Sequence, residues 1–395
     1  MNARGELGPA APAIGRRGAI LGGLGLLVAG GALSRLARRA TPPAELEGPD
    51  ENGLRLPRGF RSRVLARSGE PVLGSAMDYR WHPAPDGGAV FPTSDGYVYV
   101  SNSEVKEPGG GGVSALRFGR DGEIRAAYRI LGGTTANCAG GPTPWRSWLS
   151  CEEHRDGLVW ECDPLGERPA VARPALGRFK HEAAAVDGRR GHVYLTEDQP
   201  NGRLYRFVSA RREPMSLEEG QLQVAEVRPT GQLTWHPLPD ADGRRVATRD
   251  QVPASTAFNG GEGIWLSRHH GRDRVHFTTK GDDRVWQLDL AAQHLTVLYD
   301  AARSRDPVLT GVDNVTVSPT GEVMVAEDGG DMQLVALNEV GEPRVMLMLE
   351  GHDGSEITGP AFDPTGRRLI FSSQRGVTGE SSGGMTFEVT GPFVG

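Results

Sequence analysis

The sequence predicts an all-β fold, a six-bladed β-propeller, on three observations. Six short β-type runs each end in a polar or charged cluster, and each is followed by a turn and a second β-type run. Their starts, counted from Tyr99, are separated by 49, 46, 82, 48 and 46 residues. Glycine (56) and proline (28) together exceed a fifth of the 395 residues, which favours short strands and turns over helices. A repeat of about 45 residues with several strands per unit is typical of propeller blades.

Each repeated unit is predicted to be a β-hairpin. The first strands are YVSNSE (99–104), WLSCEE (148–153), YLTEDQ (194–199), HFTTKG (276–281), MVAEDG (324–329) and IFSSQR (370–375). The second strands are GVSALRF, GLVWECD, GRLYRFV, DRVWQLD, MQLVALN and GMTFEVT. The one wide interval contains an insertion within 209–258, where QLTWHPLPDADG predicts an extra hairpin and loop between the third and fourth units.

A further short strand precedes most of the hairpins. In a propeller the first strand of each blade lines the central channel, so residues at the same end of successive blades converge near the axis. The predicted inner strands are 76–83, 181–187, 262–268, 312–319 and 357–364.

The N-terminal region predicts export. Arg16 and Arg17 precede an apolar, glycine-rich stretch (19–33), and twin arginines before a short apolar run are typical of a twin-arginine signal. The stretch is shorter than the roughly 20 residues of a membrane span, although a retained N-terminal membrane anchor stays open because no A-x-A cleavage site follows. We expect a signal region at 1–40, a linker at 41–60 and a propeller at 61–395. The export machinery is then a partner, and the location is periplasmic, cell-surface or extracellular.

The net charge and the cysteine content limit the kinds of partner that this chain could bind. The formal net charge of −6 becomes −11 without the signal region, which holds six arginines and one acid. Such an acidic domain argues against nucleic acid and is compatible with bound cations. The three cysteines cannot all pair, so at least one thiol is free or bound to metal. We expect a monomer.

Acidic residues recur at equivalent places in the predicted blades. The inner strands begin with Glu182, Glu262 and Asp313-Asn314. The hairpin clusters supply Glu104, Cys151-Glu152-Glu153, Glu197-Asp198 and Glu327-Asp328. Any single carboxylate at a strand end is more often a solvated turn residue. Acids at the equivalent position of several blades indicate a cation-binding site instead. Like charges brought together near one axis repel unless cations neutralise them.

The ligand types indicate two kinds of ion. Carboxylate and amide oxygens suit Ca²⁺, Mg²⁺ or Mn²⁺, whereas the thiol of Cys151 indicates a second ion of transition-metal type. No Cys-x-x-Cys or His-x-x-x-His pattern is present, which argues against a structural zinc site. The predicted metal ligands are Cys151, Glu152, Glu153, Glu182, Glu262, Asp313, Asn314, Glu327 and Asp328.

Several long motifs, in the same order, resemble the PhoX family of exported alkaline phosphatases from about residue 60 to the end. They are SWLSCEE, GRFKHEAAAVD, VYLTEDQPNGRLYRFV, FNGGEGIW, FTTKGDDRVW, GVDNVTVSPTGEVMVAEDGGD, GSEITGPAFDPTG and the C-terminal GPF. The resemblance implies a six-bladed propeller that holds two oxide-bridged Fe³⁺ ions and three Ca²⁺ ions on its axis and hydrolyses phosphate monoesters.

The resemblance also implies roles for individual residues. Cys151 and Glu152 would be iron ligands, and Glu182 and Glu262 would bind or bridge metals. The calcium ligands would be completed by Asp313 or Asn314 and by Glu327 with Asp328.

One position departs from the family pattern. The family carries Arg-Pro-Glu where this chain has Gly260-Gly261-Glu262, and that arginine binds the substrate phosphate. The chain has 41 arginines but only three lysines, Lys106, Lys180 and Lys280, and all three lie at or beside the predicted site. Since an ammonium binds phosphate as a point charge, we expect Lys280 and Lys180 to replace the missing arginine in part.

The favoured function is an exported, metal-dependent phosphomonoesterase that acts on a small phosphate ester. Two alternatives stay open. One is a calcium-dependent lactonase or esterase, which leaves the thiol without a role. The other is a non-catalytic binding propeller stabilised by calcium, which the glycine at 260 favours.

Overall fold

Six β-sheets, arranged as the blades of a β-propeller, make up the structure, a computed structural model that describes residues 45–73, 78–304 and 307–393. All strand pairs within the sheets are antiparallel. The six-bladed propeller predicted from the repeat is confirmed. Each predicted hairpin forms the second and third strands of one blade. The predicted export signal lies outside the described residues.

Blades I and II follow each other directly in the chain, and each has four strands. Blade I comprises β3 (Pro85–Pro92), β4 (Gly96–Ser103), β5 (Gly111–Gly119) and β6 (Ile124–Thr134). Blade II comprises β7 (Asn137–Pro142), β8 (Trp148–Glu152), β9 (Val159–Cys162) and β10 (Val171–Ala172).

Blade III has five strands and blade IV has four. Blade III comprises β11 (His181–Asp187), β12 (His192–Glu197), β13 (Leu204–Ser209), β14 (Gly220–Val227) and β15 (Leu233–Pro237). Blade IV comprises β16 (Gly261–His269), β17 (Arg272–Thr279), β18 (Arg284–Asp289) and β19 (His294–Asp300). The insertion predicted within 209–258 thus supplies the fourth strand of blade III, one extra strand, and the connection that follows it.

The N-terminal strands complete the last two blades. Blade V comprises β20 (Val312–Val317), β21 (Val323–Glu327), β22 (Gln333–Leu337), β23 (Pro343–Leu349) and, outermost, β1 (Leu54–Arg55). Blade VI comprises β24 (Ile357–Phe362), β25 (Arg368–Ser373), β26 (Met385–Thr390) and β2 (Arg61–Arg67). Because β2 hydrogen-bonds to β26, the two ends of the propeller chain meet in one sheet and the ring is closed. Residues 54 and 55, predicted to be linker, belong to blade V.

The inner strand of blade I differs from the prediction. Residues 76–83 were expected to line the channel, but β3 does so, and β7 is an inner strand for which no segment was predicted. The predicted segment is richer in aromatic residues, whereas glycine, alanine and proline make up most of β3 and β7. Six inner strands crowd around one axis, and in these two strands small residues take most of the positions where β-branched and aromatic residues usually indicate a strand.

The hydrophobic core is divided into six clusters, one between each pair of neighbouring blades. Trp148, for example, packs with Val100 between blades I and II, and Tyr99 packs with Ile370 between blades VI and I. Burial of these side chains holds the blades together and leaves the inner edges to surround the axis. Within the described residues, no helix is long and apolar enough to cross a membrane.

Candidate metal centre

Every inner strand has a β-bulge within its first residues, and in β24 the bulge begins one residue later than in the other five. In all six, the register of pairing with the second strand shifts by one residue, beginning after Pro85 in β3 and after Gly261 in β16. A bulge redirects the side chain of its extra residue away from the regular ladder. The first bulge residues of blades I to V are Asp86, Cys138, Glu182, Glu262 and Asp313, and all are buried. The equivalent residue of blade VI is Thr358.

A second set of polar side chains follows the second strand of each blade. The residues directly after β4, β8, β12, β17, β21 and β25 are Glu104, Glu153, Asp198, Lys280, Asp328 and Gln374. This set lies beside the bulge residues, because Gln374 donates to both Asp86 and Glu104 through Nε2, at 2.6 and 2.7 Å.

These residues form four overlapping groups in which the ligand atoms lie within 4.8 Å of one another. Each group shares one residue with the next, and Glu356, which precedes β24, completes the last. The groups are Asp86–Glu104–Cys138, Cys138–Glu153–Glu182, Glu182–Glu262–Asp313 and Asp313–Asp328–Glu356. We call these eight carboxylates and one thiol the axial centre.

Burial and mutual repulsion disfavour charge in the axial centre. Burial raises the pKa of Glu182 and Glu262 well above the usual value, and neighbouring carboxylates raise it further. The same two causes raise the pKa of Glu153 to about 9. For the Cys138 thiol, burial raises the pKa first, and Asp86 and Glu182 add to it. Without bound metal ions, burial and repulsion therefore favour the protonated forms of these groups.

One carboxylate oxygen of Glu182 is placed where a bound cation would satisfy it. Oε1 of Glu182 accepts a hydrogen bond from the Cys138 thiol at 3.2 Å, but Oε2 is buried and has no hydrogen-bond partner among the described residues. A buried carboxylate oxygen without a partner costs about 1 to 3 kcal/mol or more. A metal ion between this oxygen and the adjacent carboxylates would satisfy it. The residues therefore fit the metal ions that the family implies, with oxygen ligands in every group and one thiol.

Cys151, the predicted thiol ligand, lies outside the four ligand groups. Cys151 stands opposite the bulge of β7 and pairs with Val159 in β9. Its side chain is fully buried in the hydrophobic cluster between blades II and III, which includes Leu195 and Phe179. The thiol that the structure brings to the carboxylates is Cys138, not Cys151.

Two predicted glutamate ligands point away from the axis. Glu152 accepts hydrogen bonds from the backbone amides of Thr135 and Leu158 at 3.0 and 3.2 Å. Glu327 accepts from the amides of Thr310 and Gln333 at 2.9 and 3.0 Å. Successive residues of a strand point to opposite sides, so only the second acid of each adjacent pair reaches the axial centre.

Asn314 supports its neighbour rather than joining the four groups. Its Nδ2 donates to Oδ1 of Asp313 at 2.8 Å, and its Oδ1 accepts from the amide of Gly359 at 3.1 Å. The side chain of Asp313 is thus fixed in orientation by blade VI. Of the predicted ligands, the structure brings Glu153, Glu182, Glu262, Asp313 and Asp328 into the axial centre.

Both predicted lysines pair with carboxylates there. Nζ of Lys180 lies 2.7 Å from Glu153 and 2.6 Å from Asp198. Nζ of Lys280 lies 3.1 to 3.3 Å from oxygens of Glu262, Asp313 and Asp328. Burial alone would lower the pKa of Lys280, but the surrounding carboxylates, Asp313 foremost, raise it above its ordinary value. The lysine stays charged.

Four residues of the axial centre were absent from the predicted ligands: Asp86, Glu104, Cys138 and Glu356. Three inner strands share a usable signal, one acid or thiol followed by two small residues, in Asp86-Gly87-Gly88, Cys138-Ala139-Gly140 and Glu182-Ala183-Ala184. The small residues allow the close approach of neighbouring blades at the bulge. Glu104 belongs to the recurring hairpin clusters but was not included among the predicted ligands. Glu356 occurs in the quoted motif GSEITGPAFDPTG, at a position that the spacing alone did not single out.

The glycine at 260 borders the axial centre. A Cβ atom built on Gly260 would lie 3.4 Å from Oδ1 of Asp198 and 3.8 Å from Oε1 of Glu262, which are ordinary contact distances. Its φ of +69° is a conformation that side chains rarely adopt. A side chain here would have room and would point toward the centre.

Comparison with known proteins gives a consistent result. The model of the family "Alkaline phosphatase PhoX" matches residues 109–285 and 276–376. The structure of Pseudomonas fluorescens PhoX in complex with vanadate, a transition state analogue, is similar at a TM-score of 0.71 and 18% identity, covering 88% of this chain and 97% of that one. A gluconolactonase from Xanthomonas campestris is similar at a TM-score of 0.53 and 11% identity, covering 89% and 99%.

At these identities the two solved structures show the shared fold alone. No curated protein matches the sequence. The family match, in contrast, spans well over half of the chain, and it includes Cys138 and the acids at 153, 182, 262 and 313. Membership places the chain among phosphoester hydrolases. The chain belongs to the PhoX family of alkaline phosphatases.

Proposed function

We propose that this chain is an exported phosphomonoesterase whose axial centre holds iron and calcium. The observation that supports it best is the buried Oε2 of Glu182, which lies at the middle of four linked ligand groups and has no hydrogen-bond partner within the part of the chain that the structure describes. Without bound cations the eight carboxylates would repel one another, and Lys180 and Lys280 neutralise only part of that charge. The vanadate complex of the Pseudomonas fluorescens protein agrees with a phosphate ester as substrate.

The two ion types would divide along the axial centre. Iron, as the softer ion, would be held where the thiol of Cys138 joins Glu153 and Glu182, and calcium would take sites made only of carboxylates, such as Asp313 with Glu356. We propose two Fe³⁺ and three Ca²⁺ ions. When bound, such ions supply positive charge for the phosphoryl oxygens and activation of an oxygen nucleophile.

The chain itself supplies positive charge at the entrance. Lys180 and Lys280, with side chains 26% and 36% exposed, lie at the solvent side of the centre and would attract the substrate phosphate where an arginine is missing at 260. Lys106, 76% exposed and paired with Glu104, adds to this field. Each cation is held in place by carboxylates, so the substrate phosphate would meet charge that is already oriented.

Paired cysteine variants test the proposal. Cys138→Ser should lose iron and phosphatase activity while the propeller still folds. Cys151→Ala, the matched control, should keep both, because that thiol lies in the apolar cluster between blades. Elemental analysis and hydrolysis of p-nitrophenyl phosphate, before and after calcium chelation, give the readout. Iron at full occupancy in Cys138→Ser would refute the assignment. Calcium without iron in the wild type would favour the lactonase alternative.

We propose export by the twin-arginine route, carrying a chain that folds and loads its metal before transport. Arg16→Lys combined with Arg17→Lys should leave the protein in the cytoplasm, whereas substitution of Arg38 and Arg39 by lysine should not. Fractionation and immunoblotting measure this, and export of the first variant at the normal level would contradict the proposal.

A further inference from the structure

Lys280 interrupts a set of acids at one position of the propeller. The residues that directly follow the second strand of blades I, II, III and V are Glu104, Glu153, Asp198 and Asp328, and blade IV carries Lys280 at the same place. The register of pairing places it there, since Thr279 pairs with Gly261 as Glu327 pairs with Val312. At the position that follows the second strand, blade IV thus carries a cation, blade VI carries the amide of Gln374, and the other four blades carry an acid.

Lys280 lies among carboxylates that belong to two of the candidate ligand groups. Its ammonium contacts one oxygen each of Glu262, Asp313 and Asp328, at 3.2, 3.3 and 3.1 Å. Glu262 belongs to the third ligand group and Asp328 to the fourth, and Asp313 belongs to both. The ammonium therefore lies against the two groups that consist only of carboxylates.

The other lysines are placed differently. Lys106 contacts a single carboxylate and is 76% exposed, as in an ordinary surface ion pair. Lys180 contacts two carboxylates, and one of them, Asp198, lies outside the four groups. Only Lys280 among the described lysines joins three carboxylates, two of them almost fully buried.

The residue type fits this place. An ammonium is a compact point charge with three donors, one for each of the three oxygens, whereas a guanidinium is planar and wider. In a chain with 41 arginines, the lysine at this position supplies the compact ammonium that contacts Glu262, Asp313 and Asp328 together.

We propose that Lys280 is a built-in cation that occupies the place of one metal ion between Glu262, Asp313 and Asp328. The chain would then bind one ion fewer than it would without this lysine. This inference rests on the proposed function, because it assumes that the axial centre binds metal. Lys280 neutralises the carboxylates as an ion would, yet it cannot be removed by a chelator.

Metal content tests the inference. Lys280→Met keeps the length of the side chain and removes its charge, and we expect it to bind one additional calcium ion per chain when equilibrated with calcium. Lys106→Met is the matched control and should hold the wild-type number. Elemental analysis of natively exported protein, normalised to protein concentration, gives the count. Equal calcium and iron content in Lys280→Met and the wild type would overturn the inference.

A second variant covers the case in which Lys280→Met is not recovered in folded form. Lys280→Gln keeps Glu262, Asp313 and Asp328 and replaces the ammonium by the neutral amide that blade VI carries at the equivalent position, Gln374. It should also gain one calcium ion, and an unchanged count would again overturn the inference. A wild-type protein without any metal would contradict the proposed function itself, whereas a metal-loaded wild type with unchanged variants contradicts only the role of Lys280.

Discussion

Gly260→Arg would restore the guanidinium that the family pattern places beside the axial centre. The structure gives the cost of this change. With φ at +69°, an L-residue at 260 is destabilised by about 1 to 2 kcal/mol, and the first side-chain atom meets only ordinary contacts of 3.4 Å or more. In a domain of this size, such a cost lowers Tm by a few degrees, roughly 2 to 4 °C per kcal/mol at most.

The gain is in phosphate binding. Hydrogen bonds between a guanidinium and a phosphate dianion are worth about 1.5 to 3 kcal/mol, and 1.4 kcal/mol is a factor of ten in affinity. We therefore expect KM for p-nitrophenyl phosphate, or Ki for inorganic phosphate, to fall by about tenfold or more.

Gly260→Ala is the control, because it carries the same backbone strain without the guanidinium. It should show the same loss of Tm and an unchanged KM. A folded Gly260→Arg protein with the wild-type metal content and an unchanged KM and Ki would refute the idea that residue 260 faces the substrate phosphate.

Three further predictions follow from the site and the fold. Asp328→Asn should reduce metal content, whereas Glu327→Gln should keep it but lose about 1 to 3 kcal/mol of stability in urea unfolding, because Glu327 accepts two backbone hydrogen bonds. Equal metal loss in both variants would contradict the inference that only the second of these adjacent acids faces the axial centre. Chelation should lower Tm more at pH 9 than at pH 6. The carboxyl groups of the metal-free centre have raised pKa values, so a rise in pH removes their protons and leaves buried charges that repel one another. A Tm that does not respond to chelation would contradict this. Asp187→Asn should destabilise the protein by about 1 to 3 kcal/mol at pH 7, and the difference from the wild type should shrink below pH 4; a difference that is constant with pH would argue against the ion pair with Arg190.

The pKa of Asp187 explains why the stability difference between Asp187→Asn and the wild type shrinks at low pH. Burial raises this pKa, but the hydrogen bond and charge of Arg190 outweigh burial and lower it below the usual value of 3.8. A carboxyl group with a lowered pKa stabilises the folded state above its unfolded pKa, and that contribution is lost as the pH falls through the folded value.

The fold was predictable because the blade repeat is visible in the hairpins. Each hairpin has two strands with ordinary β-type residues, such as those of 194–199 and 202–208, and their spacing gives the number of blades. The inner strand 85–92 was missed because the crowding around the axis selects glycine and proline, which local propensity assigns to turns. Closure of the ring by residues 61–67 depends on long-range pairing with β26, which no local pattern indicates.

For the axial centre, the sequence predicted which positions of the repeat are equivalent, but not which residue at each position faces the axis. Spacing identified Glu182, Glu262 and Asp313 as equivalent residues, and the structure brings them together. It misassigned the thiol because Cys151 lies beside two acids in sequence, whereas Cys138 reaches the axis through a bulge in an unrecognised strand. Side chains alternate along a strand, so only one acid of the pair Glu152-Glu153 faces the axis. Which of the two it is depends on the register of pairing with the inner strand, which the sequence alone does not give.

We propose that Cys138 and the surrounding carboxylates hold the iron of a phosphatase centre. X-ray absorption at the iron edge of the natively exported protein tests it most directly. We expect a spectrum with sulfur and oxygen neighbours in the wild type and in Cys151→Ala, and loss of the sulfur neighbour in Cys138→Ser. Iron without a sulfur neighbour in the wild type, or a sulfur neighbour that disappears in Cys151→Ala and persists in Cys138→Ser, would contradict the account.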